Sequence, residues 1–293
     1  MSETWAQLGV TAAVVLPVAA IPLTVMVRRG ALQPNALRDV PTRHIGLEPL
    51  DLALALLLPL LALVNAVMLW RAGPSPAPAP ATVPLDANVA LRHALMGQAF
   101  NQLPFAAWFV IRAAMRGQWR RSGLLPTRPG RDVSAAVLTL LAALPWVMGV
   151  HVLTSAVGLL AGQEPPVIGH DLLRIMRDEG WTLVMLGLLA SAVLIAPLLE
   201  ELIFRGLLQT AMLETFGWER RWPVILAAAA AFAGVHVGAA AWQAMPGLFV
   251  LGVILGWLYE RTGSLWPSIL LHMMFNAVNS AIVLSGLVGT EAA

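Results

Sequence analysis

The chain contains no cysteine and no lysine among its 293 residues. Without cysteine there is no disulfide, no thiolate metal ligand and no cysteine nucleophile. Charge is also scarce: charged residues make up 12% of the chain, whereas a soluble domain carries roughly 25%. All 18 basic residues are therefore arginine, a bias that, with abundant alanine, leucine and proline, is typical of a GC-rich bacterial genome.

What the chain has in excess is hydrophobic residues, which account for 58% of it. They are gathered into runs, several of them long enough to cross a hydrocarbon core of ~30 Å, and no strand pattern is evident between them. The sequence predicts an all-α, polytopic integral membrane bundle with about eight transmembrane helices. The predicted spans are residues 5–27, 50–70, 94–111, 133–160, 181–203, 223–240, 247–259 and 265–288.

Two regions are predicted along the chain. Residues 1–132 hold three spans and an outer proline-rich loop at 73–84, because a segment so rich in proline cannot form a helix interior. The third span, 94–111, is interrupted by Gln98, Asn101, Gln102 and Pro104. Residues 133–293 hold the remaining five spans and form the second region.

The arginines indicate how the spans are oriented. Most of the 18 fall in alternate connections, and the positive-inside rule places those connections in the cytoplasm. This predicts an N-terminus outside the cell, in a bacterial cytoplasmic (inner) membrane. Because the arginines lie in short loops and not on one basic face, the basic composition does not indicate nucleic-acid binding. The arginine-rich connections are 28–49, 112–132, 204–222 and 260–264.

An acid pair, Glu200 and Glu201, ends the apolar run that begins at Trp181. Ionisable groups at membrane depth are costly and usually functional. Glu201 and Arg205 are four residues apart and share a helix face, so they are expected to pair and to leave Glu200 free. Pro197 removes a backbone donor one turn earlier, which predicts a kink that makes room for water.

Two further helical pairs of polar or aromatic residues follow in later spans. Phe232 and His236 are four apart in an alanine-rich span, and His272 and Asn276 are four apart in the last span. Each pair taken alone is compatible with ordinary helix-to-helix hydrogen bonding. Together with a free glutamate they provide the groups needed to activate water and to stabilise a tetrahedral intermediate.

These motifs, in this order, resemble a known family. Glu200-Glu201-Leu-Ile-Phe-Arg205 is similar to its EExxxR motif, Phe232-Ala-Gly-Val-His236 to FxxxH, and His272-Met-Met-Phe-Asn276 to HxxxN. The family is that of the CAAX proteases and bacteriocin-processing enzymes (CPBP), which are intramembrane glutamic endopeptidases. The resemblance covers roughly residues 181–285, so the second region, 133–293, is expected to be the protease core.

The resemblance implies a role for each matching residue. Glu200 would be the catalytic base, His236 would orient the water, and His272 with Asn276 would stabilise the oxyanion. Glu201, Arg205 and Phe232 would support them. The implied reaction is hydrolysis of a peptide bond in a membrane-associated peptide or a prenylated, CAAX-type protein, with membrane lipid as the surroundings and no cofactor.

Two alternatives remain open from the sequence. Glu200, His236 and His272 could instead bind a zinc ion that carries the water, since three protein ligands and an open position are typical of catalytic zinc, although no HExxH spacing is present. Alternatively, the chain could be a non-catalytic membrane protein of the immunity or adaptor type that binds a peptide without cutting it.

Overall fold

The computed structural model describes residues 2–30, 33, 35–71, 86–126, 128–163, 175 and 181–285. The predicted proline-rich loop, 73–84, lies outside the described residues. Within them the structure is all-α, with no strand and a single isolated bridge between Val237 and Ala240. The predicted fold class is confirmed.

The helices follow the apolar runs. They are α1 (Ser2–Arg28), α2 (Pro49–Arg71), α3 (Ala87–Gly97), α4 (Leu103–Met115), α5 (Pro129–Leu160), α6 (Leu183–Phe216), α7 (Arg221–Gly234), α8 (Met245–Thr262) and α9 (Trp266–Leu284). A π-helical turn at Gln98–Gln102 joins α3 to α4. Short 3₁₀ turns at Trp218–Arg220 and Trp242–Ala244 precede α7 and α8.

Six helices in the described part of the chain are long and apolar enough to cross a membrane, which identifies an integral membrane protein. The count of eight stays a prediction. The run over 94–111 is divided by the π-helical turn, and α7 has only 14 residues. At a rise of 1.5 Å per residue, a helix of that length reaches about 21 Å, short of a ~30 Å core.

The predicted span over 223–240 extends too far. Helix α7 ends at Gly234, and the chain then makes a tight turn in which Gly238 has φ +92°. Only glycine adopts that conformation readily, so the turn stops the alanine-rich run from continuing as helix. The division between residues 132 and 133 stays a prediction, and α5 begins at Pro129.

Helix α6 is widened at two places. Its first π-helical segment, Ser191–Ile195, comes directly before Pro197, and the Ala196 N–H bonds to the Ser191 carbonyl. Pro197 has no N–H to donate to Val193, so the regular hydrogen-bond ladder cannot pass this point. The second π-helical segment, Leu202–Gln209, starts immediately after the acid pair. Where Pro197 predicts a kink, the structure has a π-helical segment on the N-terminal side of the proline, and the kink itself stays a prediction.

The arginine-rich end of the bundle is held by a buried ionic cluster centred on Glu260 of α8. Glu260 is 0% exposed and lies 2.7 Å from Arg43 Nη2 and 3.2 Å from Arg221 Nε. Gln209 of α6 donates to the same carboxylate at 3.0 Å. Arg43 lies in the α1–α2 connection, where burial lowers the pKa of its guanidinium and attraction to Glu260 raises it, with a net rise. The cluster thus ties that connection to α6, α7 and α8.

We predict that Glu260→Gln destabilises the protein by about 3–5 kcal/mol, because two buried guanidinium groups lose their counter-charge. The measurement is the apparent thermal midpoint of the purified protein in detergent. Glu219→Gln is the matched control, since Glu219 is 74% exposed and its contact with Arg220 is 3.7 Å. Equal midpoints for the two variants would contradict a structural role of this cluster.

Candidate active site

The second member of the acid pair is buried and is bound by two side chains of the protein. Glu201 is 0% exposed, and its Oε1 lies 3.1 Å from Arg205 Nη1 and 3.0 Å from His272 Nδ1. The pairing of Glu201 with Arg205 is as the four-residue spacing predicts. Glu201 therefore joins α6 to α9 as well as carrying the counter-charge of Arg205.

Arg205 is only 1% exposed, and its guanidinium contacts three partners. Besides Glu201, its Nη2 donates to the Gly252 carbonyl at 3.0 Å, and its guanidinium carbon lies 4.8 Å from the centre of the Phe232 ring. A planar guanidinium can make these contacts together, whereas a lysine ammonium presents a single point charge. Arg205 thus fixes α6 against α7 and α8.

The first member of the pair, Glu200, is turned toward an internal cavity. Its Oε2 lies 3.8 Å from His272 Nε2, which is ion-pair range but longer than a hydrogen bond. Its Oε1 accepts from Gln102 Nε2 at 3.4 Å. His272 therefore stands between the two carboxylates, with one ring nitrogen toward each.

His236 lies just beyond α7 and not within a span as predicted. Its Nδ1 is 2.8 Å from the Phe232 carbonyl, and its ring is 5.0 Å from the Phe232 ring. If Nδ1 donates to that carbonyl, Nε2 is left as a hydrogen-bond acceptor. The aromatic ring of Phe232 contacts both histidines, since its centre is also 5.6 Å from that of His272.

Asn276 satisfies a backbone group of the π-helical segment. Its Nδ2 donates to the Ala192 carbonyl at 2.9 Å. The irregular backbone before Pro197 frees carbonyls from the helical ladder, and side chains from neighbouring helices commonly bind such groups in membrane proteins. An amide carries two N–H donors, so this contact uses one of the two available to Asn276.

All four residues predicted as catalytic line one cavity of 870 Å³: Glu200, His236, His272 and Asn276. Its walls are mostly apolar and come from α1, α2, α3, α5, α6, α8 and α9, together with the turn after α7. A volume of this size is near the upper end of the range for small-molecule sites, about 300–1,000 Å³.

The cavity also has a polar wall that the sequence analysis did not assign to the site. It consists of Gln98, Asn101 and Gln102, at the π-helical turn between α3 and α4. Gln98 Nε2 bonds to Ser191 Oγ at 2.8 Å. The signal for this wall was present in the sequence, because these residues interrupt an apolar run and intramembrane polar residues usually face a cavity. His93 and His151, set apart in the sequence by more than fifty residues, line the same cavity.

No three metal-ligating side chains of the described residues are placed to share an ion. The zinc site of Glu200, His236 and His272 considered from the sequence is therefore not formed by the side chains as they stand. Glu200 and His272 lie side by side, while His236 is engaged through Nδ1 with the Phe232 carbonyl.

A comparison with protein families found a match over the part of the chain that carries these residues. Residues 181–278 match the family model described as "Type II CAAX prenyl endopeptidase Rce1-like". The matched residues run from α6 to most of α9, and the matched family is the CPBP family, so the resemblance inferred from the three motifs is confirmed. Searches of curated proteins and of solved structures found no significant match.

We predict that Gln102→Met lowers the rate of peptide cleavage about tenfold. A hydrogen bond to a charged group contributes roughly 1.5–3 kcal/mol, and the 3.4 Å contact with Glu200 is long, so the low end applies. The measurement is kcat of the purified enzyme on a fluorogenic peptide, alongside the thermal midpoint. Gln118→Met, at the arginine-rich end, is the control. A rate equal to that of the wild type would show that Gln102 does not contribute to cleavage.

Proposed function

We propose that the protein is an intramembrane endopeptidase in which Glu200 activates water to hydrolyse a peptide bond. The observation that supports this most directly is the placing of Glu200 at the cavity wall, beside His272, while Glu201 neutralises Arg205. One carboxylate is thus occupied and the other is available. The match of residues 181–278 to a CAAX endopeptidase family supports the same reaction class.

In the proposed reaction Glu200 accepts a proton from water, and the water oxygen bonds to the carbonyl carbon of the substrate. His236, through the ring nitrogen not engaged with Phe232, accepts a hydrogen bond from that water and orients it. The C–N bond then breaks, and the proton held by Glu200 passes to the leaving amine. General-base assistance of this kind contributes about 10²–10⁴-fold to a rate.

The negative charge that develops on the carbonyl oxygen requires donors. His272, as an imidazolium with an N–H on each ring nitrogen, and the free N–H of Asn276 take this role in the proposal, both facing the cavity from α9. Glu201 holds the His272 ring through Nδ1, and the Ala192 carbonyl holds Asn276. Donors fixed in advance are effective because they need not reorganise during the reaction.

The substrate class follows from the walls of the cavity. Apolar side chains suit a lipid chain or an apolar peptide, while the buried oxygens Gln98 Oε1 and Gln102 Oε1 have no hydrogen-bond partner in the described protein. Such acceptors are suited to the N–H groups of an extended peptide. We propose that the substrate is a membrane-associated peptide or a prenylated, CAAX-type protein, cut close to its membrane anchor.

Glu200→Gln is expected to lower cleavage by about 10²–10⁴-fold, because the amide cannot accept the proton. The experiment compares purified wild type and variant on a lipidated reporter peptide, with products identified by mass spectrometry. Glu219→Gln, which changes an exposed acid in the same way, is the matched control.

The outcomes separate the candidate functions. Cleavage by wild type and by Glu219→Gln, but not by Glu200→Gln, supports the proposed base. Equal cleavage by all three proteins would show that Glu200 is not the base. Binding of the reporter without cleavage by any of them would favour the non-catalytic alternative.

Chelation tests the metal alternative. The proposal uses no metal, so dialysis against a strong chelator is expected to leave the rate within about twofold of its starting value. Elemental analysis of the purified protein accompanies the assay. One equivalent of zinc, lost together with activity and restored on adding zinc back, would overturn the metal-free mechanism in favour of a zinc-bound water.

A further inference from the structure

The cavity that holds the candidate catalytic residues is closed at one end of the bundle. Beyond Glu200 toward the C-terminus of α6 lie Ile203, Phe204 and Leu207, buried in the largest hydrophobic cluster. The ionic cluster of Arg43, Arg221 and Glu260 follows at the end of the bundle. These two layers form a floor beneath the acid pair.

The residues that line the cavity all come from the opposite half of the bundle or from its middle. They include the second half of α5, the first half of α8, the end of α9 and the turn after α7. The turn residues Val237 to Ala239 are exposed, and Ala239 borders the cavity. Apart from Phe204, at the edge of the third connection, none of the lining residues belongs to 28–49, 112–132, 204–222 or 260–264. The mouth of the cavity is therefore at the end away from those four connections.

Those four connections lie together at the floor end, where they contact one another. Arg43 reaches Glu260, Arg221 donates to the Leu37 and Pro41 carbonyls, and Ser264 bonds to Asp132. They also hold most of the 18 arginines. The remaining four arginines are outside these connections: Arg71 ends α2, Arg92 lies in α3, and Arg174 and Arg177 fall in the sequence between α5 and α6, together with the acids Glu164, Asp171, Asp178 and Glu179.

An excess of arginine in short connections marks the cytoplasmic side of a membrane protein. We propose that the cavity opens on the extracytoplasmic side of the membrane, with its floor toward the cytoplasm. Building on the proposed function, its substrate is then the membrane-proximal segment of an exported, lipid-anchored polypeptide. Prenylated CAAX proteins are made and modified in the cytoplasm. They would therefore approach the closed end of the cavity.

The walls of the cavity suit a lipid-anchored chain. The cavity has a volume of 870 Å³ and is lined mostly by apolar side chains, so a few extended residues fit it with part of an acyl chain. Leu58, Leu61 and Ala62 of α2 supply part of the apolar wall for that chain.

The side of the mouth is tested by cysteine labelling, for which the native chain gives no background because it has no cysteine. Ala239→Cys places a thiol at the mouth, and Asn35→Cys places one in the exposed arginine-rich connection between α1 and α2. A membrane-impermeant maleimide is added to intact cells and to permeabilised cells. We expect Ala239→Cys to react in both and Asn35→Cys only after permeabilisation. The reverse pattern would overturn the proposal and leave the proposed protease activity untouched.

The substrate class is tested in vesicles of both orientations. A diacylated fluorogenic lipopeptide is expected to be cut in right-side-out vesicles by wild type and by Glu219→Gln, and not by Glu200→Gln. Cleavage confined to a farnesylated CAAX peptide in inverted vesicles would overturn the inference while supporting the protease. If neither probe is cut by wild type in either orientation, the proposed function fails, and the labelling result still decides the side of the mouth.

Discussion

Glu201 binds Arg205 and His272 at the same time, in a part of the bundle where no side chain is more than slightly exposed. A charge in such a place is stable only with an opposite charge and with hydrogen bonds that satisfy its remaining atoms. Satisfying the buried charge of Glu201 positions more of the protein than the Glu201–Arg205 ion pair. Because Arg205 also binds the Gly252 carbonyl and packs on Phe232, and because His272 belongs to α9, four helices are brought to one point. Glu200 is left without Arg205 as a partner because Glu201 already pairs with that arginine.

The same need to satisfy polar groups explains the irregular backbone around the cavity. Helix α6 loses its regular ladder before Pro197, and Asn276 binds a carbonyl of the widened segment. At the α3–α4 turn, also π-helical, Gln98 bonds to Ser191 at the start of the same segment. Two irregular stretches thus face each other across a short distance and satisfy one another through side chains.

Much of the fold and part of the candidate site could be predicted from the sequence. Hydropathy gave the helical class, and the spacing of Glu201 and Arg205 gave their pairing, because both depend on local periodicity. The approach of Gln102 to Glu200 could not be predicted, since residues 98 positions apart meet only through tertiary packing. The end of α7 was also missed, because the prediction did not treat Gly234, where the helix ends, or Gly238, which turns the chain, as stop signals. The polar residues of the 94–111 run were visible but were taken as interruptions, when an interruption at membrane depth is itself evidence of a cavity.

The two buried ionic groups differ in a way that bears on how the bundle works. Around Glu260 both carboxylate oxygens lie against guanidinium groups, and the cluster ties connections to helices at the closed end. Around Glu201 only one oxygen is engaged, and the histidine that binds it also faces Glu200. The first arrangement pairs both oxygens of one carboxylate with cations and holds the floor together. The second leaves Glu200 and His272 at the wall of the cavity, where a site that must exchange protons with water requires them. A rigid floor suits a catalytic base above it. The base acts best when the groups that support it do not move as its charge changes.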